Sequence, residues 1–251
     1  MRRAFLLLSF TVLGLFPPRL GMSASHHPDP HPLITLFLSG DVMTGRGIDQ
    51  VLPHPSDPRL QEPHVHSART YVALAEQAHG PIPAHVPFAY IWGDALAELD
   101  RQAPDLRLIN LETGITTSPA YWPNKAIHYR MHPANIPCLT AARIDYCSLA
   151  NNHVLDWGYA GLVDTVAALR SVNIKYAGAG RNRHEAATPA VMAVKGKGRV
   201  IVFAYGVETS GIPPSWAAPA DRPGVNLGVA ALFSKKVTLN RKPANRELIR
   251  P

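Results

Sequence analysis

The sequence predicts an α/β domain in which a parallel or mixed sheet is covered by helices. Apolar, partly β-branched runs of strand length recur at residues 33–39, 106–111 and 146–150. Segments with helical spacing alternate with them, and each run ends in acidic or amide residues rather than in a hairpin turn. Alternating strands and helices of this kind argue for a sheet with helices packed on it. A chain of 251 residues with 46% apolar residues can bury a core as one large domain or two small ones, and 24 prolines imply many loops.

The elements follow in chain order. Residues 1–24 read as an export signal. Arg2 and Arg3 precede an apolar run of 13 residues at 4–16, which is too short to span a bilayer comfortably. Pro17 and Pro18 end that run, and Gly21, Ser23 and Ala24 offer a cleavage site. The expected location is therefore periplasmic or at the cell surface, with an uncleaved membrane anchor as the alternative. Residues 25–32 hold three prolines and read as a linker, in which His26, His27 and His31 can bind metal only loosely. The domain proper spans 33–227. Strand 33–39 runs into Gly40 and Asp41, and residues 51–64 form a loop. Helices are expected at 67–79 and 92–102, and strands at 106–111 and 146–150. The clearest helix is 159–172, with Leu162, Val163, Val166 and Leu169 at helical spacing. Short strands follow at 175–177, 190–194 and 200–205. Residues 228–251 read as an atypical basic tail.

Charge and cysteine usage exclude several function classes. The net charge of +7 is terminal: residues 1–24 carry +3, residues 228–251 carry +5, and the middle is left near neutrality at −1. Such a domain has no electrostatic case for binding nucleic acid. Cys138 and Cys147 are the only cysteines. They read as two separately buried thiols, with a disulfide as the alternative in an oxidising compartment, and no pair suits a thiolate zinc site. Gly178-Ala179-Gly180-Arg181-Asn182 lacks a full dinucleotide fingerprint and reads as a strand-to-helix turn. Trp92, Trp122, Trp157 and Trp216 read as core or rim packing. His128, Tyr129 and Arg130 fall on a short strand that can reach substrate.

The polar strand ends carry the chemistry. They are Asp41 with Arg46, then Asn110 and Glu112, then Asn151, Asn152 and His153 followed by Asp156. Functional groups gather beyond the carboxyl ends of strands in open α/β sheets. Carboxylates, amides and an imidazole there are the ligands a hard or borderline divalent cation takes. His153 can act on a leaving oxygen, and Asp156 can orient its imidazole. Arg46 can clamp an anionic group on a substrate. The plainer alternatives are a salt-bridged Arg46 and an Asp156 that only caps the following helix.

The strings LFLSGDVMTGRGID, LINLETGIT, SLANNHVLDWGYAGL and YAGAGRN resemble the CapA family, associated with poly-γ-glutamate capsule synthesis. The resemblance covers about residues 33–227. It implies kinship with calcineurin-like metallophosphoesterases and their four-layer αββα sandwich, here incomplete at the C-terminal end. It implies a divalent metal (Mn, Zn, Fe or Mg) with Asp41, Glu112 and Asn152 as ligands and His153 beside them. It also implies membrane-bound polymer synthase subunits as partners, and an anionic polymer or phosphoester as substrate. The chain departs from the phosphoesterase pattern at Met43, where a histidine is usual, and at Glu112, where an aspartate is usual. No histidine follows His184, so the C-terminal histidines of the pattern have no counterpart. Two functions therefore compete: a metal-dependent hydrolase, and a non-catalytic accessory subunit of a polymer synthase. An inactive truncated fragment is the third reading.

Overall fold

The computed structural model describes residues 32–228; the expected signal, most of the linker and the basic tail lie outside the described residues. Ten strands and six helices follow one another as β1 (Leu36–Val42), α1 (Arg46–Val51), α2 (Arg69–His79), α3 (Ala95–Gln102), β2 (Leu106–Leu111), β3 (Gly114–Ile115), β4 (Arg130–Met131), α4 (Pro137–Ala141), β5 (Tyr146–Ser148), α5 (Gly158–Ser171), β6 (Lys175–Ala177), β7 (Ala179–Gly180), α6 (Arg183–Ala187), β8 (Ala190–Val194), β9 (Gly198–Val202) and β10 (Gly224–Val225). Among the described residues no helix is long and apolar enough to cross a membrane.

The expected parallel sheet is present. Its order is β1-β2-β5-β6, with every pairing parallel. β2 is the most buried strand of this sheet, as its largely apolar character predicts. Its alternate residues serve two cores. Ile109 and Leu111 join the core that also holds Leu162, Val166 and Leu169 of α5; Leu106 and Leu108 join a second core with Ala190, Met192 and Val194 of the antiparallel hairpin β8–β9. Val163 falls off the inner stripe of α5 and stays exposed. Cys138 on α4 and Cys147 in β5 are free, fully buried thiols, which removes the disulfide alternative. Burial pushes Cys138 up to about 12.

Two differences from the expected elements matter. β1 does not stop at Ser39 but continues to Val42 through an irregularity: Ser39 pairs with Ile109, Asp41 pairs with Asn110, and Gly40 is passed over. β9 ends at Val202, and residues 203–205 leave the hairpin; Gly206 then meets Leu227 in an isolated parallel bridge. The remaining sheets are two-stranded pairs, β3–β4, β7–β10 and β8–β9. The described residues therefore establish a mixed α/β fold with a parallel sheet and only a small second layer over one face.

That second layer leaves apolar surface open. Val191 and Ile201 are cross-strand partners on the outer face of the hairpin, and both are exposed. Phe203, two residues on, is 58% exposed, and Leu38 on the edge strand β1 is 68% exposed. Leu38 and Phe203 line one groove of about 430 Å³ with Leu108 and Tyr146. Exposed apolar surface of this kind drives association. Replacing Ile201→Lys together with Phe203→Glu is expected to lower binding of a hydrophobic dye and raise the soluble monomer fraction. The change in unfolding free energy should stay within about 0.5 kcal/mol, as for exposed sites in general. Unchanged dye binding and unchanged aggregation would show that this face is already covered.

Candidate functional site

The parallel register sets the polar strand ends level. Asp41, Asn110 and Ser148 are successive register partners across β1, β2 and β5. Glu112 follows Asn110 by two residues, and the backbone N–H of Glu112 donates to Val42 O at 3.0 Å, which extends the ladder past β2. Residues two apart on a strand point to one side, so Asn110 and Glu112 project together. Asn110 Nδ2 donates to Asp41 Oδ1 at 2.9 Å and to Glu112 Oε1 at 3.3 Å. Asn151 Nδ2 donates to Asn110 Oδ1 at 3.0 Å and to Leu111 O at 2.9 Å. Asn151 Oδ1 accepts from the backbone N–H of His153 at 3.0 Å. The hydrogen bonds thus run in one direction, from the His153 backbone through two carboxamides to the two carboxylates.

A second group of contacts holds His153. Its Nδ1 lies 2.8 Å from Asp156 Oδ2, and both residues are buried. Asp156 Oδ2 also accepts from Tyr129 N at 2.7 Å, and Lys125 Nζ lies 3.0 Å from Asp156 Oδ1. Trp157, not Asp156, is the N-cap of α5, so Asp156 orients the imidazole instead of capping the helix. The Tyr129 ring stacks on the imidazole with centroids 4.0 Å apart. On the other side of Tyr129 lies the Arg46 guanidinium, 4.9 Å from its centroid and 4.7 Å from that of Tyr71. Arg46 Nε pairs with buried Glu62 at 2.7 Å, and Tyr71 donates to the other oxygen of Glu62. Arg46 has φ of 50°, a left-handed conformation costly for a side-chain-bearing residue, so several contacts hold it in place. It is the salt-bridged arginine of the plainer alternative, and its stack reaches His153 through Tyr129.

Burial pushes the Glu112 carboxyl above its ordinary value, and the Asp41 carboxylate adds to the shift, while His153 opposes it. Burial likewise raises the Tyr129 phenol. The Asn152 side chain lies against Gly211, and among the described residues no hydrogen bond joins it to Asp41 or Glu112. Met43 Sδ accepts from Gly45 N at 3.1 Å and is turned into its own loop. A cleft of about 400 Å³ opens beside this group, lined by Trp122, Asn124, Lys125, Glu208, Gly211 and Trp216 among others.

A resident divalent metal needs three or more ligands in reach of one point. Among the described residues no three His, Cys, Asp or Glu side chains form such a group. Asp41 and Glu112 converge on the N–H donors of Asn110, and His153 Nδ1 is directed at Asp156. The described residues do not by themselves fit such an ion. The sequence places Asn110 among the polar strand ends but assigns it no role, and it gives no sign of Lys125. The spacing of Asn110 two residues before Glu112 was a usable signal, whereas Lys125 arrives from a loop with no local pattern.

The family described as bacterial capsule synthesis protein PGA_cap matches residues 35–247. This chain belongs to the PGA_cap family. The match confirms the CapA-type resemblance and runs 20 residues past Leu227, where the sequence reading ends it. Two probable polyglutamine synthesis accessory proteins of Mycobacterium tuberculosis, from strains CDC 1551 / Oshkosh and ATCC 25618 / H37Rv, are each 51% identical over 195 residues, covering 78% of this chain and 51% of the relative. An uncharacterized protein of Sinorhizobium fredii (strain NBRC 101917 / NGR234) is 34% identical over 94 residues, 36% of this chain and 20% of that protein. This PGA_cap chain thus spans about half the length of the two mycobacterial relatives.

Two outcomes test the geometry. Asp156→Ala leaves the Lys125 ammonium, 18% exposed, without its carboxylate. Breaking a largely buried pair from one side should cost on the order of 3 kcal/mol, read by urea unfolding, and adding Lys125→Met should recover part of the loss. For Glu112 the folded value is raised, so its stabilising contribution is fullest in acid and is lost as pH rises through the folded value. Glu112→Gln is therefore expected to leave Tm unchanged well below the ordinary carboxylate range and to raise it at neutral and alkaline pH.

Proposed function

We propose that this chain acts as an accessory component of capsule-polymer synthesis, of the polyglutamate type, exported from the cytoplasm and working beside a membrane-bound polymer synthase. The non-catalytic character of this reading is carried by one observation: Asp41 and Glu112 are joined by the Asn110 carboxamide. The polymer context comes from the family and from the mycobacterial relatives named as accessory proteins. The N-terminal residues would supply the export signal or an anchor. The hairpin β8–β9 would be the start of the second sheet of a four-layer sandwich. An anionic polymer would pass the cleft beside Lys125 and Asn124, with Arg46 as a further candidate for contact.

A second reading, hydrolysis of a phosphoester or related bond with a divalent metal (Mn, Zn, Fe or Mg) bound by Asp41, Glu112 and Asn152, has one observation in its favour. Asp156 takes the Nδ1 side of His153. A neutral imidazole held that way carries its lone pair on Nε2, the arrangement of a general base. Lys125 and the Tyr129 backbone hold Asp156, and Tyr129 fixes the ring plane.

Complementation separates the two. In a capsule-forming host lacking this protein, polymer output should return with the wild type. Under the accessory reading it should return equally with Glu112→Gln and with His153→Ala, provided both accumulate as folded protein. Failure of both variants, with phosphodiester turnover present in purified wild type and absent from both, would replace the accessory reading with the hydrolase.

A further inference from the structure

We infer that the Asn110 carboxamide stands in for a bridging cation between Asp41 and Glu112, so that this chain holds its acidic pair together without a resident metal. The two facing oxygens, Asp41 Oδ1 and Glu112 Oε1, both accept from the one nitrogen. A divalent ion bridging these oxygens at about 2.0–2.6 Å would compete with the N–H donors for the same lone pairs. An asparagine can meet a cation by turning its oxygen inward, but Asn110 is denied that rotation. Its Oδ1 accepts from Asn151 Nδ2, and turning the group would set two NH2 donors against each other. Asn151 cannot turn to compensate. Its Oδ1 takes the His153 backbone N–H and its Nδ2 also donates to Leu111 O, a main-chain donor and a main-chain acceptor that fix which end is which. Asn151 is buried, so each of those bonds would be lost without replacement by water.

The amide does what a bridging ion does for two close carboxylates: it places positive partial charge between them. Like charges this close, one of them half-buried, repel, and removing the donor exposes that repulsion. The inference deepens the non-catalytic reading and concerns the same residues, but its test reads metal and stability alone.

The experiment uses the full chain, stripped with a chelator and titrated with Mn²⁺ and separately with Zn²⁺, followed by calorimetry and thermal unfolding. The wild type is expected to take up no stoichiometric metal and to keep its Tm. Asn110→Asp removes both N–H donors and adds a third carboxylate. It is expected to melt below the wild type when metal-free and to rise by about 5–10 °C with metal at about 100 times Kd. Uptake of one equivalent of either ion by the wild type at micromolar concentration, with a matching rise in Tm, overturns the inference. So does an Asn110→Asp chain that is as stable as the wild type and indifferent to metal. Should Asn110→Asp fail to fold, Asn110→Ala takes its place under the same criteria, and the wild-type titration decides in any case. Metal uptake by the wild type would leave the accessory role standing, since polymer output measures that separately.

Discussion

The alignment of β1 against β2 is the constraint on which the polar site depends. Asp41 meets Asn110 because the ladder skips Gly40 between Ser39 and Asp41. Without that irregularity Gly40 would stand opposite Asn110, and the carboxylate would point to the other face of the sheet. Ser148 of β5 lies level with Asn110, so the turn that follows delivers Asn151 directly onto the Asn110 carboxamide. Three chain segments separated by some 70 and 40 residues are thereby brought to one level by backbone pairing, before any side chain chooses a partner.

Asp156 organises the opposite flank. It is fully buried and receives the imidazole, an ammonium and a backbone N–H, while its own carbonyl accepts from Trp122 N at 2.8 Å. Trp122, Lys125 and Tyr129 belong to one loop, so a single carboxylate and its backbone fasten that loop to the turn that carries His153. The aromatic contacts of Trp122 with Trp216 and Tyr159 continue the attachment to the cleft wall. Gly178 closes the arrangement from behind. Its φ is 96°, and a Cβ there would lie 2.6 Å from that of Ala150 and 2.8 Å from that of Ala204. Three strand ends can therefore approach only where that residue has no side chain.

Much of this was legible in the sequence where period and burial agree. β2 and β8 match their expected bounds, and α5 differs by one residue at each end, because apolar runs or helical spacing identify them; three-residue β6 also matches, following directly on α5. The elements that went unread are the short ones. α1 spans six residues and β3, β7 and β10 two each, lengths over which no periodicity accumulates, and β4 was read only in part, as a strand over 128–130 instead of 130–131. At the site, Asp41, Glu112, His153 and Asp156 were legible because each follows an apolar run, and their types carry chemistry. Lys125 was not, because a lysine among loop prolines has no pattern until Asp156 is folded against it. Asn152 and Asn151 are indistinguishable in sequence. The strand geometry turns Asn151 toward the carboxylates and leaves Asn152 beside Gly211.

The one-way chain of amides makes the identities of two residues depend on each other. Each asparagine presents its oxygen to the preceding donor and its nitrogen to the next acceptor, and the His153 N–H fixes the sense at one end. An acid at position 110 would still accept from Asn151 but would offer nothing to Asp41; an acid at 151 would still accept from His153 but would face the Asn110 oxygen. Neither change is neutral alone, and the second is tolerable only if position 110 becomes a donor on both sides. The pair is thus ordered: an acid at position 110 keeps its bond from Asn151, whereas an acid at position 151 cannot stand beside an unchanged Asn110.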